Sequence, residues 1–395
     1  MMKGYITRNV WILSFVSLFT DMASEMLYPV MPIYLKSIGF SVVLIGILEG
    51  LAEATAGLSK GYFGNLSDRL GKRLPFVQFG YGLSAISKPM MAAFTYPLWV
   101  FFARTVDRLG KGIRTGARDA LLSSEATPET KGRIFGFHRS MDTLGAVIGP
   151  LIALAFLAWR PGDYATLFIV AFLPGIGAIV FTRWIHEKSS APVARVSKPG
   201  FWDFLQYWSK SSPAYRRLAG GLLVFALFNS SDVFLLLKMK EAGCSDGLVI
   251  GAYIFYNLIY ALAAYPLGIL ADRIGMKRLL PGGLLLFAVV YTGMIFAESN
   301  LAFLLLFFVY GLYAAATEGV AKAWITNICE KKDTATAIGT YTAFQSIFAL
   351  FASSLAGILW YSAGAGVTFA VSAVAAVGVA GYLMVLKDMK AEAAS

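Results

Sequence analysis

Gly64-Asn-Leu-Ser-Asp68-Arg69-Leu-Gly71-Lys72-Arg73 returns 204 residues later as Gly268-Ile-Leu-Ala-Asp272-Arg273-Ile-Gly275-Met276-Lys277-Arg278. Each copy closes a long apolar segment with a glycine, then Asp-Arg, then a second glycine and basic residues. Two copies in corresponding places are the mark of an internal duplication. The apolar segments before them make it a duplication within a membrane. Gly64 and Gly268 would let helices approach closely, and Gly71 and Gly275 would permit a tight turn. Asp68 and Asp272 are placed to cap the next helix start or to pair with a neighbouring arginine, and Arg69, Arg73 and Arg273 belong to the same loops.

Composition fits that reading. Hydrophobic residues form 57% of the 395 residues and charged residues 14%, and the mean hydropathy is +0.66. A water-facing domain carries about 25% charge, so lipid must be the main solvent here. The length allows roughly twelve spans of about 20 residues. They are expected near 10–36, 42–64, 76–95, 97–122, 133–158, 164–184, 215–239, 247–270, 279–297, 301–328, 335–360 and 364–386. The N-terminal segment carries Asp21 and Glu25, so it reads as a first span and not as a signal sequence.

The net charge of +11 need not mean nucleic acid. Most Lys and Arg outside the spans fall on one side, the side of both termini and of 185–214, which the positive-inside rule places in the cytoplasm. Anionic headgroups are then the natural partner of the basic surplus. Three parts follow: an N-terminal six-helix bundle over 1–184, a cytoplasmic linker over 185–214 with a short interfacial helix at Phe201–Trp208, and a C-terminal six-helix bundle over 215–395. Cys244 and Cys329 are expected on opposite sides of the membrane, which rules out a disulfide. Two Cys and two His are too few for a structural zinc site, so no metal is expected.

The motif Gly-x-Leu-(Ser/Ala)-Asp-Arg-x-Gly-x-(Lys/Arg) resembles the signature loop of the major facilitator superfamily. Arg108-Leu-Gly-Lys111-Gly112 is similar to the Arg-x-x-Gln-Gly motif of its proton-coupled members, with Lys111 in place of Gln. Gly145-Ala-Val-Ile-Gly149-Pro150 and Pro29-Val-Met-Pro32 resemble motifs of its twelve-span drug:proton antiporters. The resemblance covers the whole chain. It implies an all-α membrane protein of twelve transmembrane helices, in two parallel pseudo-repeats of six, around a central cavity. It also implies alternating access and no enzymatic chemistry. The substrate does not carry over.

Span four carries Arg104, Arg108, Lys111, Arg114 and Arg118 at helical spacing, on one stripe. A charge at mid-bilayer costs roughly 2.5–3.5 kcal/mol, so the stripe must meet carboxylates or a watery cavity. Asp21 with Glu25, and Glu49 with Glu53, are i,i+4 pairs on spans one and two that could supply them. Two carboxylates close together near an arginine can form a switchable proton site; the alternative is a fixed ion network. Span five adds His138, Arg139 and Asp142, with Asp142 expected to contact Arg114. Lys88, a lone lysine of span three, is expected to matter less than Arg108.

The second half is more aromatic. Glu318 and Lys322 form an expected i,i+4 ion pair on span ten. Asn229-Ser-Ser-Asp232 is a polar break in span seven, of the kind that suits a gating helix. Tyr253, Tyr256, Asn257 and Tyr260 share a face of span eight, and Tyr341 with Gln345 forms a small polar pair on span eleven. An apolar wall with a few phenols and amides suits a drug-sized ligand, though ordinary aromatic packing would look alike.

The functional expectation is a secondary active transporter moving a small organic molecule by proton-coupled export. It would use no cofactor, with the proton gradient as energy source. Its partners would be substrate, protons and membrane lipid, with no nucleic acid, and it would be a monomer of the bacterial cytoplasmic (inner) membrane. The alternative is a symporter or exchanger for an anionic metabolite, drawn by the basic stripe of span four. That alternative weakens if Arg104 and Arg108 prove to be paired with carboxylates. With no second histidine near His138 and no Ser-centred elbow, an enzyme is disfavoured.

Overall fold

Fourteen α-helices account for nearly all of the described chain. In the computed structural model, which describes residues 6–28, 30–187 and 200–386, they run in order: α1 (Arg8–Leu27), α2 (Met31–Ser37), α3 (Val42–Leu70), α4 (Leu74–Ala93), α5 (Pro97–Ser124), α6 (Lys131–Trp159), α7 (Tyr164–Thr182), α8 (Asp203–Lys210), α9 (Pro213–Phe228), α10 (Val233–Glu241), α11 (Asp246–Ile274), α12 (Met276–Phe296), α13 (Asn300–Ile328) and α14 (Thr334–Val385). Helix α14 breaks at Gly364. Apolar runs of this length in hydrocarbon must satisfy every backbone group within the segment, which selects helix. The starts are written locally. Thr7, Ser41, Ser212, Ser245 and Ser299 each accept the amide three residues on, while α4, α5 and α9 carry proline in the first turn.

Among the described residues, eight stretches are long and apolar enough to cross a membrane by length and composition. The outward faces are greasy: Leu98 is 84% exposed and Phe296 76%, as lipid-facing positions require. The charged helix α5 does not meet the apolar criterion. Its cations Arg104, Arg114 and Arg118 are instead packed against protein.

The helices gather into two compact units. The first comprises Met1–Thr127, Met141–Lys210 and Glu330–Ala343; the second comprises Pro128–Ser140, Ser211–Cys329 and Phe344–Ser395. The start of α14 therefore packs with the first unit, and the start of α6 with the second.

The repeated motif corrects one expectation. Most of it is helix and not loop: α3 runs to Leu70 and α11 to Ile274. Gly71 and Gly275 end these helices with φ of 63° and 92°, a region costly for any residue with a Cβ. The two aspartates also cap distant helices and not the next one. In the first unit, Asp68 Oδ2 accepts the Thr336 amide at 2.7 Å and its hydroxyl at 2.9 Å. In the second, Asp272 accepts the Gly132 amide at 2.7 Å and the Arg133 amide at 3.0 Å. Gly132 and Thr336 are also 204 residues apart, so the repeat extends to the acceptor helices. Each carboxylate meets the unsatisfied amides and positive end of a helix N-terminus. The arginine differs between copies: Arg73 of the motif reaches Asp68 at 3.3 Å, whereas Arg133 of the docking helix reaches Asp272 at 2.9 Å. Arg273 is exposed.

The linker helix α8 belongs to the first unit. Asp203 pairs with Arg69 at 3.1 Å, and Phe204 is buried against Gly61. Phe201, Trp202 and Leu205 remain exposed. The helix starts two residues later than expected, at Asp203; the polar stretch 188–199 lies outside the described residues.

A Cβ on Gly64 would stand 2.5 Å from the Ala335 carbonyl oxygen. Gly64→Val should therefore lower stability by about 1–3 kcal/mol, read as a fall in melting temperature of the detergent-purified protein. Gly82→Ala, with nothing within 4 Å, should leave it unchanged.

Candidate functional site

The basic stripe of α5 divides. Arg104, Arg114 and Arg118 are buried, Arg108 is half-buried and Lys111 is exposed. The buried members face protein. Arg104 Nη1 lies 3.7 Å from Asp107, and Lys88 of α4 donates to the same carboxylate at 2.7 Å and to Ser24 at 3.4 Å. Arg118 pairs with its neighbour Asp119 at 2.9 Å and donates to Ser17 of α1 at 3.2 Å; the Ser17 hydroxyl donates in turn to Asp142 of α6 at 2.6 Å. Arg114 has no carboxylate. Its Nη1 donates to Ser84 at 2.5 Å, its guanidinium lies 4.6 Å from the centre of the Tyr81 ring, and its Nε has no partner. The expected Arg114–Asp142 contact is therefore absent. Asp142 joins Arg118 through Ser17 because Arg118 lies one turn further along the helix.

The less buried members meet acids of other helices. Arg108 Nε lies 3.7 Å from Glu53 of α3, whose side chain is 47% exposed. Lys111 and Arg108 are the strongest opposite charges on Glu25 of α1, and Arg108 and Lys111 the strongest on Glu53. Two carboxylates and two cations thus share a partly open cluster in the first unit. Asp21 is half-buried on α1, packed beside the position where a Cβ on Gly145 would fall. The side chains of Glu49, Pro29 and Pro32 lie outside the described residues. Gly145 and Gly149, with Pro150 inside the helix, lie where α6 meets α1: a Cβ on either would strike the backbone oxygen of Leu18 or Met22.

The second unit holds a different site. Helix α9 ends at Phe228 and α10 begins at Val233, so the polar run Asn229–Asp232 is a true helix break. Asp232 accepts the Tyr256 hydroxyl at 2.6 Å and the Tyr310 hydroxyl at 2.5 Å. Asn229 donates to Tyr313 at 3.2 Å. Tyr253 stands edge-on to Tyr256, Asn257 donates to the Tyr253 carbonyl at 3.0 Å, and Tyr260 is buried one turn further on. Glu318 accepts Arg139 at 2.8 Å, a partner supplied by the start of α6, which packs in this unit. His138 is buried, which removes it from headgroups. Tyr341 is buried in the first unit and Gln345 half-buried in the second.

Sequence reasoning missed Lys88, Tyr310, Tyr313 and the serines. Lys88 had a signal: a lone lysine in an apolar span is paired or it is not tolerated. It is buried at 1% exposure on Asp107. Ser17 and Ser84 had none, since serine is common in such helices.

A family model described as Major Facilitator Superfamily matches residues 13–256 and 218–394. The chain belongs to the major facilitator superfamily. A superfamily member is a transporter and not an enzyme, and this one is an integral membrane protein for secondary transport of small molecules. An uncharacterized MFS-type transporter of Methanocaldococcus jannaschii, MJ1317, is 31% identical over 90% of this chain and 89% of the relative. A multi-drug resistance efflux pump, the PmrA homolog of Lactococcus lactis, is 23% identical over 82% and 81%. Among solved structures, the human organic anion transporter MFSD10 (TETRAN) aligns with a TM-score of 0.78 at 17% identity, covering 95% of this chain and 99% of that one. The transporter FucP, in the outward conformation, aligns at 0.76 and 10% identity, covering 96% and 99%. Both carry the fold alone.

Lys88→Met takes the hydrogen-bonded cation from Asp107, leaves Arg104 at 3.7 Å, and should cost this transporter about 1–3 kcal/mol of stability. Scanning fluorimetry should show the loss, and Lys88→Met combined with Asp107→Asn should recover part of it.

Proposed function

We propose that the protein is a proton-coupled exporter of a small organic molecule, carried by the half-buried cluster of Glu25, Glu53, Arg108 and Lys111. Acids that share cations across α1, α3 and α5 can exchange a proton for a cation contact when the helices shift. Closed ion pairs such as Lys88–Asp107 hold the bundle together and have no such freedom. The efflux-pump relatives support the direction of transport. In this reading twelve spans form two six-helix bundles, 1–184 and 215–395, joined by the linker 185–214. They alternate access as a monomer in a bacterial inner membrane with both termini inside. The capped ends at Asp68 and Asp272, with Arg69, Arg73 and Arg273, are the gates. Asp21, Glu49 and Asp142 belong to the proton-side network of the first unit; His138, in the second, is a separate candidate proton carrier. The break at Asp232 and the phenols and amides of α11 line the substrate path within the second unit, with Gln345 of α14 in the same unit.

The second reading, transport of an anionic metabolite, draws on Arg114, which has a serine and a tyrosine for partners and no carboxylate. It is weakened by Arg104 and Arg108, which both face carboxylates.

In proteoliposomes under an imposed pH gradient, Asp21→Asn and Glu53→Gln should each abolish gradient-driven transport while leaving counterflow exchange. Undiminished gradient-driven flux in both sinks the coupling assignment. Arg108→Ala should lower flux more than it lowers melting temperature, the reverse of Lys88→Met.

A further inference from the structure

The helix break of the second unit combines features that a purely structural aspartate does not need. Asp232 is a carboxylate in a membrane-spanning region with no cationic partner among the described residues. Two phenols hold it, one on each oxygen. The other acid nearby, Glu318, is neutralised by Arg139 at 2.8 Å, so Asp232 alone lacks a counter-ion. The acceptors beside it are in surplus. Asn229 Oδ1 is buried without a hydrogen-bond partner, and the buried Ser230 and Tyr291 hydroxyls lie close to each other. Buried polar atoms are almost always satisfied, and each one left bare costs about 1–3 kcal/mol. An unanswered amide oxygen beside a carboxylate that has no cation among the described residues leaves the break able to receive a donor. Aromatic rings supply the rest: Tyr310 lies 5.3 Å from both Tyr256 and Tyr313, centre to centre.

We propose that this break binds the protonated amine of an organic ammonium substrate, with Asp232 as its counter-ion and Ser230 Oγ and Asn229 Oδ1 as further acceptors. An ammonium brings up to three N–H donors, and the break offers a carboxylate, a hydroxyl and an amide oxygen to receive them. The tyrosine faces stabilise the cationic carbon skeleton through their quadrupoles. The phenols that hold Asp232 keep the carboxylate in one orientation before the substrate arrives, which lowers the ordering cost of binding. A metal ion fits less well. Both carboxylate oxygens already accept phenols, the surroundings are aromatic, and no group of three or more His, Cys, Asp or Glu side chains is assembled among the described residues. Asp232 is half-buried, between the exposed Ser231 and Val233. The inference rests on the reading of the protein as an exporter of small organic molecules and names the chemical class.

The test is equilibrium binding to the purified full-length transporter at neutral pH, with no gradient, using three probes of one shape: 4-phenylbutylamine, 4-phenylbutanol and 4-phenylbutyrate. The amine should bind at least about tenfold tighter than the alcohol, and the carboxylate should not compete. Asp232→Asn should erase the amine's advantage over the alcohol. Tyr310→Phe and Ser230→Ala, which keep every charge, should each weaken the amine by about two- to fivefold. If Asp232→Asn does not fold, judged by size exclusion and melting, those two variants and the wild-type comparison of the three probes decide. Equal binding of amine and alcohol to the wild type, unaltered amine selectivity in the variants, tighter binding of the carboxylate, or displacement of the amine by sodium and not by potassium would each overturn the site. Amine selectivity without any gradient-driven flux would overturn the proposed coupling and leave this site standing.

Discussion

A charge inside hydrocarbon must be answered by the protein that carries it. This requirement arranges the interior of the first unit. Lys88 and Arg104 converge on Asp107, Arg118 turns to Asp119 and through Ser17 to Asp142, and Arg108 reaches Glu53. Each of these ties joins different helices or fixes a side chain that faces another helix, so charge compensation and helix packing are one problem. The close α4–α5 approach, where Gly80 faces Gly110 backbone to backbone, leaves Ser84 and Tyr81 in reach of Arg114. Loss of either small residue would force apart the pair of helices that shelters the guanidinium.

The same requirement separates groups that hold from groups that can move. Lys88–Asp107 is fully buried and short, and leaving it half-made is expensive. Arg108–Glu53 is longer at 3.7 Å and its carboxylate is nearly half exposed, so its partner can change at small cost. In the second unit the acids are treated unequally in another way: Glu318 receives an arginine while Asp232 receives only phenols. The two units thus carry different kinds of incomplete compensation, one shared among mobile cations and one waiting for a donor.

How much of this was legible follows from the range of each interaction. The duplicated motif, the apolar segments and the helix starts at serine and proline are short-range, and they could be read directly. So could the break at Asn229–Asp232, because four polar residues within an apolar span cannot continue a lipid-facing helix without cost. Pairing across helices was not legible. Arg104 to Arg118 looked like one stripe because helical periodicity fixes direction only to within about a third of a turn. Burial then sorted the stripe into inward and outward members. That Arg139, distant in sequence from Glu318, reaches its carboxylate could not be read from spacing.

The sequence by itself determined that this is a duplicated membrane carrier. Hydropathy, the positive-inside bias and the repeated Asp-Arg motif are properties of the chain and need no packing to be read. Tertiary structure alone decided that the motif's aspartates cap helices far along the chain, with Asp68 on Thr336 and Asp272 on Gly132. It also decided which cations are buried and which remain partly open, and that Tyr310 joins Tyr256 on Asp232. The physical reason is common to all three. Ion pairs and hydrogen bonds are satisfied by whatever stands within about 3 Å, and only the packed arrangement of helices determines which residues stand there.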